Sequence, residues 1–167
     1  MAKKKDYRLK VLFEIREKEK EKAEDIYAQK QKQVAIEKKK LDEMNEHLKG
    51  MVAHREERKE QYNEAMRSGA LTIDGIQSND RHIERLKQEE AAYQIEITRQ
   101  QENLRDAQEL AEEAKEDMLK ATQDFKALEK HREKWDKQVR KEMMLKEEEQ
   151  AEDIAQAQYY KRLKERG

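Results

Sequence analysis

The chain has no cysteine and no proline, and only four glycines, two phenylalanines and one tryptophan. Without cysteine it can form neither a disulfide nor a thiolate metal site, and a reducing compartment is permitted. Without proline nothing interrupts a helix by ring clash or by loss of an N–H donor. Aromatics make up 5% and hydrophobic residues 35%, too little to fill a compact core at a length of 167 residues. No apolar run is long enough to span a bilayer, and the charged start lacks the apolar core of a signal peptide. Neither sign of charge dominates: 38 Lys and Arg face 39 Asp and Glu, a net charge of -1, which speaks against a nucleic-acid clamp.

What is present is charge and helix-forming residues. Asp, Glu, Lys and Arg make up 46% of the chain, and most of the remainder is Ala, Gln, Leu and Met. Such a chain is either disordered or a coiled coil, which needs only a narrow apolar seam. The apolar residues fall in register, which favours the coiled coil.

A first stripe begins after Asp6, an expected N-cap, and steps by threes and fours through Leu9, Leu12, Arg16, Glu19, Ala23, Ile26 and Lys30. One residue of slip carries it on through Val34, Glu37, Leu41, Met44, Leu48, Met51, Arg55, Arg58, Tyr62 and Ala65. Such a slip reads as a stutter, which locally unwinds a left-handed supercoil. The charged seam positions mark looser packing or places where a partner docks. Gly50 costs about 1 kcal/mol against alanine but has no second breaker beside it.

The pattern breaks at Ser68-Gly69-Ala70-Leu71-Thr72-Ile73-Asp74-Gly75. Gly69 suits a helix C-terminus because it tolerates positive φ, and Thr72 suits the next N-cap. A connection this short favours antiparallel neighbours. The second stripe alternates three and four without interruption through Ile83, Leu86, Glu90, Tyr93, Ile97, Gln100, Leu104, Ala107, Ala111, Ala114, Met118, Ala121, Phe125, Leu128, Arg132, Trp135 and Val139. The expected architecture is therefore all-α: a single antiparallel two-helix coiled-coil hairpin over 1–167, with helix 1 about 6–67, a turn about 68–72 and helix 2 about 73–163. Residues whose numbers sum to roughly 140 should face one another. At 1.5 Å per residue the helices span ~90 and ~130 Å, so helix 2 overhangs, and Met143, Met144, Ile154, Tyr159 and Tyr160 lack an intramolecular partner.

Catalytic, metal and cofactor sites are not expected. Glu43 and His47 lie one turn apart, as two ligands can, but His54, His82 and His131 do not converge on them. No nucleophile–base pair or phosphate-binding glycine loop is present, and two helices enclose no cavity that excludes water. The basic ends, Lys3-Lys4-Lys5 with Arg8 and Lys10, and Lys161-Arg162 with Lys164 and Arg166, read either as solvated tails or as docking sites for an acidic surface.

The opening Tyr7-Arg8-Leu9-Lys10-Val11-Leu12-Phe13-Glu14-Ile15-Arg16-Glu17, followed by Glu19, Glu21 and Ala23, resembles that of the FliJ/YscO (SctO) family. The stretch His131-Arg132-Glu133-Lys134-Trp135, then Glu147-Glu148-Glu149-Gln150 and Glu152-Asp153, is more similar to the YscO branch. The resemblance implies a non-enzymatic stalk of a type III secretion export apparatus. It would link the hexameric secretion ATPase to the cytoplasmic domain of the export gate and bind export chaperones. It would work in the cytoplasm, peripheral to the inner-membrane machinery, without inserting in the membrane, and as a monomer when isolated. Under that resemblance, position and charge make Arg8, Arg16, Lys161 and Arg162 the candidate ATPase contacts. Met66, Leu71 and Ile76 are the candidate contacts at the turn. The rival reading is a generic dimeric adaptor coiled coil unrelated to secretion.

Overall fold

The computed structural model describes residues 6–167. The basic run Lys3-Lys4-Lys5 lies outside the described residues. The described residues form two helices, α1 (Lys10–Arg67) and α2 (Ile73–Arg166), which pack against each other antiparallel, the second being the longer. The chain divides into two units. The first joins Met1–Glu24 to Asp117–Gly167, and the second is Asp25–Glu116.

Helix α1 begins at Lys10, and Asp6 does not cap it. The amide of Lys10 donates to the Tyr7 carbonyl at 3.1 Å, and that of Phe13 donates to Leu9 at 2.8 Å. Tyr7 explains the late start. Its ring packs on Trp135 with centroids 5.2 Å apart, and its hydroxyl lies 2.7 Å from Nδ1 of His131 in a hydrogen bond. This aromatic contact anchors the turn at Arg8 and Leu9 that precedes the helix, and tertiary packing overrides the local capping preference.

The seam on α1 differs from the sequence reading at four points, Leu12, Glu19, Ile26 and Arg58, all of which are exposed. Leu12 and Ile26 are exposed at 38% and 40%, whereas their neighbours Phe13 and Tyr27 are half-buried. Glu19 is likewise exposed and Lys20 half-buried. The inward residues of the first unit are thus Leu9, Phe13, Arg16, Lys20 and Ala23. In the second they are Tyr27, Lys30, Val34, Glu37, Leu41, Met44, Leu48, Met51 and Arg55, followed by Tyr62 and Ala65. This series alternates four and three, save that the step between Arg55 and Tyr62 falls on the exposed Arg58. The expected slip near Lys30 disappears, and no stutter is needed. Hydrophobicity alone misplaces this seam: Leu12 and Ile26 are apolar residues on the flank, while the true seam admits Lys20.

Helix α2 supplies the more deeply buried side. Ile97, Ala107, Ala111, Ala114, Phe125 and Val139 are buried along with Gln100. Ile83, Leu86, Tyr93, Leu104, Met118, Leu128 and Trp135 are half-buried at the same spacing. Arg132 is exposed, yet its guanidinium lies over the Phe13 ring, 4.7 Å from the centroid. Phe13 also meets Phe125 at 5.1 Å. The aromatic pairs across the seam, from Tyr7 with Trp135 to His47 with Tyr93, obey the sum of roughly 140 that an antiparallel hairpin requires.

The turn is built from two local motifs. The amides of Gly69 and Ala70 donate to the carbonyls of Met66 and Ala65, each at 3.2 Å, and Gly69 has φ of 69°. This is a Schellman ending, whose left-handed residue must be glycine or bear strain. Thr72 then caps α2. Its Oγ1 accepts from the Gly75 amide at 3.2 Å, and its carbonyl accepts from Ile76 at 2.9 Å.

Candidate interaction surfaces

The sites of interest in such a fold are polar layers in the seam and exposed side chains at its ends. In the second unit, Arg55 and Glu90 form an ion pair of 2.7 Å, with side chains only 15% and 14% exposed. The Glu90 hydrogen bond raises the affinity of the Arg55 guanidinium for its proton, against desolvation. Three seam positions further along α2, Gln100, 4% exposed, donates through Nε2 to the Glu37 carboxylate at 2.5 Å and to its carbonyl at 3.2 Å. That hydrogen bond, helped by Gln33 and Lys40, holds the Glu37 carboxyl below its ordinary range despite desolvation. Tyr62 titrates above its usual value, first through desolvation and then through Asp80. No buried polar side-chain atom among the described residues lacks a partner. Arg55, Glu90 and Glu37 in the seam are therefore engaged within the chain. They fix the register, because a slip would separate Arg55 from Glu90 and strand Gln100.

Two of the histidines, His47 and His131, are likewise engaged within the chain. The His47 ring packs edge-on against Tyr93 with centroids 4.9 Å apart, and His131 is held by Tyr7. Among the described residues no group of three His, Asp or Glu side chains gathers as a metal site would. None of the described helices is long and apolar enough to cross a membrane.

The four residues expected to contact an ATPase part company. Arg8, Lys161 and Arg162 are exposed. Arg16 is half-buried at the seam, where its guanidinium meets Glu19 at 2.8 Å and Asp124 at 3.7 Å. It is an internal clasp of the first unit. At the turn, Met66 is 48% exposed, while Leu71 and Ile76 are half-buried. Leu71 lies over Gly75, where an added Cβ would stand 3.4 Å from its Cδ2. Ile73, at 77% exposure, is the outward apolar residue that sequence reasoning missed. Its place one residue after the Thr72 cap could have shown it, since the first helical turn begins outside the seam.

From Met144 onward every residue of α2 is exposed, including Met144 at 61%, Ile154 at 59%, Tyr159 at 63% and Tyr160 at 64%. Tyr159 and Tyr160 touch only edge to edge, at 6.1 Å.

The sequence matches the profile of the family described as YscO-like protein over residues 4–165. Among solved structures, the fold is similar to that of a YscO homolog, CT670 from Chlamydia trachomatis, with a TM-score of 0.75. The two are 22% identical, and the alignment covers 95% of this chain and 96% of that one. At this identity the likeness speaks for the fold alone. A comparison with curated proteins gives no match.

Proposed function

Because the chain belongs to the YscO-like family, whose members are helical proteins related to type III secretion, we propose that it is the non-enzymatic stalk of such an apparatus, coupling the hexameric secretion ATPase to the export gate. The observation that carries this reading is the family match along nearly the whole chain, 4–165, on a two-helix fold whose buried polar side-chain atoms, among the described residues, all have partners. Its place of work on this reading is the cytoplasmic side of the inner-membrane machinery. Export chaperones are further partners.

The chemistry suits a part that must make and break contacts. A large apolar interface would hold a stalk in one position. Exposed charges in a ring of subunits can be exchanged among neighbours at little cost, since isolated surface ion pairs contribute 0–1 kcal/mol each, roughly. The end carrying Arg8, Lys161 and Arg162 faces the ATPase in this proposal, and the turn with Met66 and Ile73 faces the gate.

Stimulation of the ATPase by the full chain is the test. Reversing Arg8, Lys161 and Arg162 together to Glu should abolish stimulation and leave the helical melt in place. Undiminished stimulation by that triple variant would refute the contact mode. Failure of the unaltered chain to bind or stimulate the ATPase would refute the stalk itself.

A further inference from the structure

Beyond Val139 the charges of α2 balance in number but are sorted along the helix. Glu147, Glu148, Glu149, Glu152 and Asp153 form an acidic band, and no Lys or Arg lies between 147 and 158. From Tyr159 to Arg166 the sign reverses: Lys161, Arg162, Lys164 and Arg166 stand against Glu165 alone. All of these residues are exposed. Cations in a last turn complement the helix dipole, but that role calls for no aromatic residue. Here Tyr159, Tyr160 and Leu163 lie among them at 63%, 64% and 49% exposure.

At roughly 100° per residue, the two tyrosines and Leu163 fall within about 100° of the helix circumference. Arg162 and Arg166 border that face on one edge and Lys164 on the other. The face is short, because Gln156 and Glu152 occupy it on the N-terminal side of Tyr159. A helix that lies in a protein groove offers apolar anchors at i, i+3, i+4 and i+7, a longer ridge than this one. Phenol rings at the boundary of water and hydrocarbon, with cations reaching toward phosphates on both edges, suit the surface of a bilayer instead.

We propose that the last two turns of α2 dock on an anionic bilayer surface. Tyr159, Tyr160 and Leu163 enter the headgroup layer, and Arg162, Lys164 and Arg166 meet lipid phosphates. The acidic band sets the pose. Asp153 lies six residues before Tyr159, roughly 9 Å along the helix, while the screening length at physiological salt is about 8 Å. A tilted helix puts its tip in the interface and keeps the band clear of the surface field. A helix lying flat would bring the band down onto like charge. The tip of α2 makes the contact, and its length does not. This goes beyond the stalk reading and does not rest on it. Were both to hold, lipid and ATPase would compete for Lys161 and Arg162.

Co-sedimentation of the full chain with vesicles tests the proposal, comparing an equal mixture of phosphatidylglycerol and phosphatidylcholine with phosphatidylcholine alone. Four cations less one carboxylate should favour the anionic vesicles on the order of a hundredfold, and raised salt should remove the preference. Lys164→Glu with Arg166→Glu, which spares the cations assigned to the ATPase, should lower it at least about tenfold. Tyr159→Ser with Tyr160→Ser should weaken binding at least about tenfold as well. Should a variant lose helix content, Tyr160→Trp in the otherwise unaltered chain reads the contact directly. Its fluorescence should shift to the blue on anionic vesicles, while Trp135, about 38 Å back along α2, contributes no change. Absence of binding, equal binding to both vesicles, binding indifferent to both double variants, or an unshifted Tyr160→Trp spectrum would each overturn the proposal. Binding to soluble polyglutamate as tight as to the vesicles would also overturn it, and would assign the tip to an acidic protein surface.

Discussion

Truncating Phe13 and Leu12 separately distinguishes the two possible seams on α1. Phe13 is half-buried, faces Phe125 at 5.1 Å and lies beneath the Arg132 guanidinium at 4.7 Å. A fully buried Phe→Ala change costs about 3–5 kcal/mol. Partial exposure lowers the transfer part of that figure, while loss of the ring pair removes about 0.5–1.5 kcal/mol and the cation contact about 0.5–1. Phe13→Ala should therefore cost about 2–4 kcal/mol. Leu12, 38% exposed on the flank, retains much of its water contact when folded. Leu12→Ala removes little burial and introduces the best helix former, so about 1 kcal/mol or less is expected. Urea melts followed by circular dichroism give both values. If Leu12→Ala destabilises as much as Phe13→Ala, the unbroken four-three register is wrong and the slip near Lys30 must be reinstated. Tyr27→Ala against Ile26→Ala repeats the comparison in the second unit.

Gly69→Ala should cost about 1–2 kcal/mol, since nothing stands within 4 Å of an added Cβ but φ is 69°. Gly50→Ala, inside α1 with equally open space, should instead raise stability by about 0.5–1 kcal/mol, and thermal melts of the two variants check the opposite signs. Glu37 has a folded pKa below its unfolded one, so its stabilising share is complete above the unfolded value and is lost as the pH falls through the folded value. Melting temperature followed through the acid range should drop less steeply for Glu37→Gln than for the unaltered chain. Truncation after Met143 should leave the melt of the remainder nearly unchanged, because every residue removed is exposed; a large fall in midpoint would show that the tail is packed.

The turn and the second helix were legible because their signals are local and agree. Gly69 and Thr72 occupy the positions that a Schellman ending and an N-cap demand, and the α2 stripe is apolar at nearly every step. The first helix was harder. Its seam contains Arg16, Lys20, Lys30, Glu37 and Arg55, while apolar Leu12 and Ile26 sit one residue off it. Only the partner helix reveals that Arg55 answers Glu90 and that Glu37 answers Gln100. The start of α1 was misplaced for a similar reason, as Tyr7 is drawn to Trp135, which is distant in sequence. The exposed contact candidates could be named from charge and position, but a docking lysine and a solvated one have the same local chemistry. Arg16 could be sorted from Arg8 only by seeing Asp124 beside it.

The fold-back of α1 on α2 is tested most directly by a distance within one molecule. Spin labels at Glu17 and Lys126, both exposed, would be placed in a single chain diluted with unlabelled protein. Helices packed 8–10 Å apart should hold the labels within about 25 Å. A separation beyond about 50 Å would contradict the hairpin.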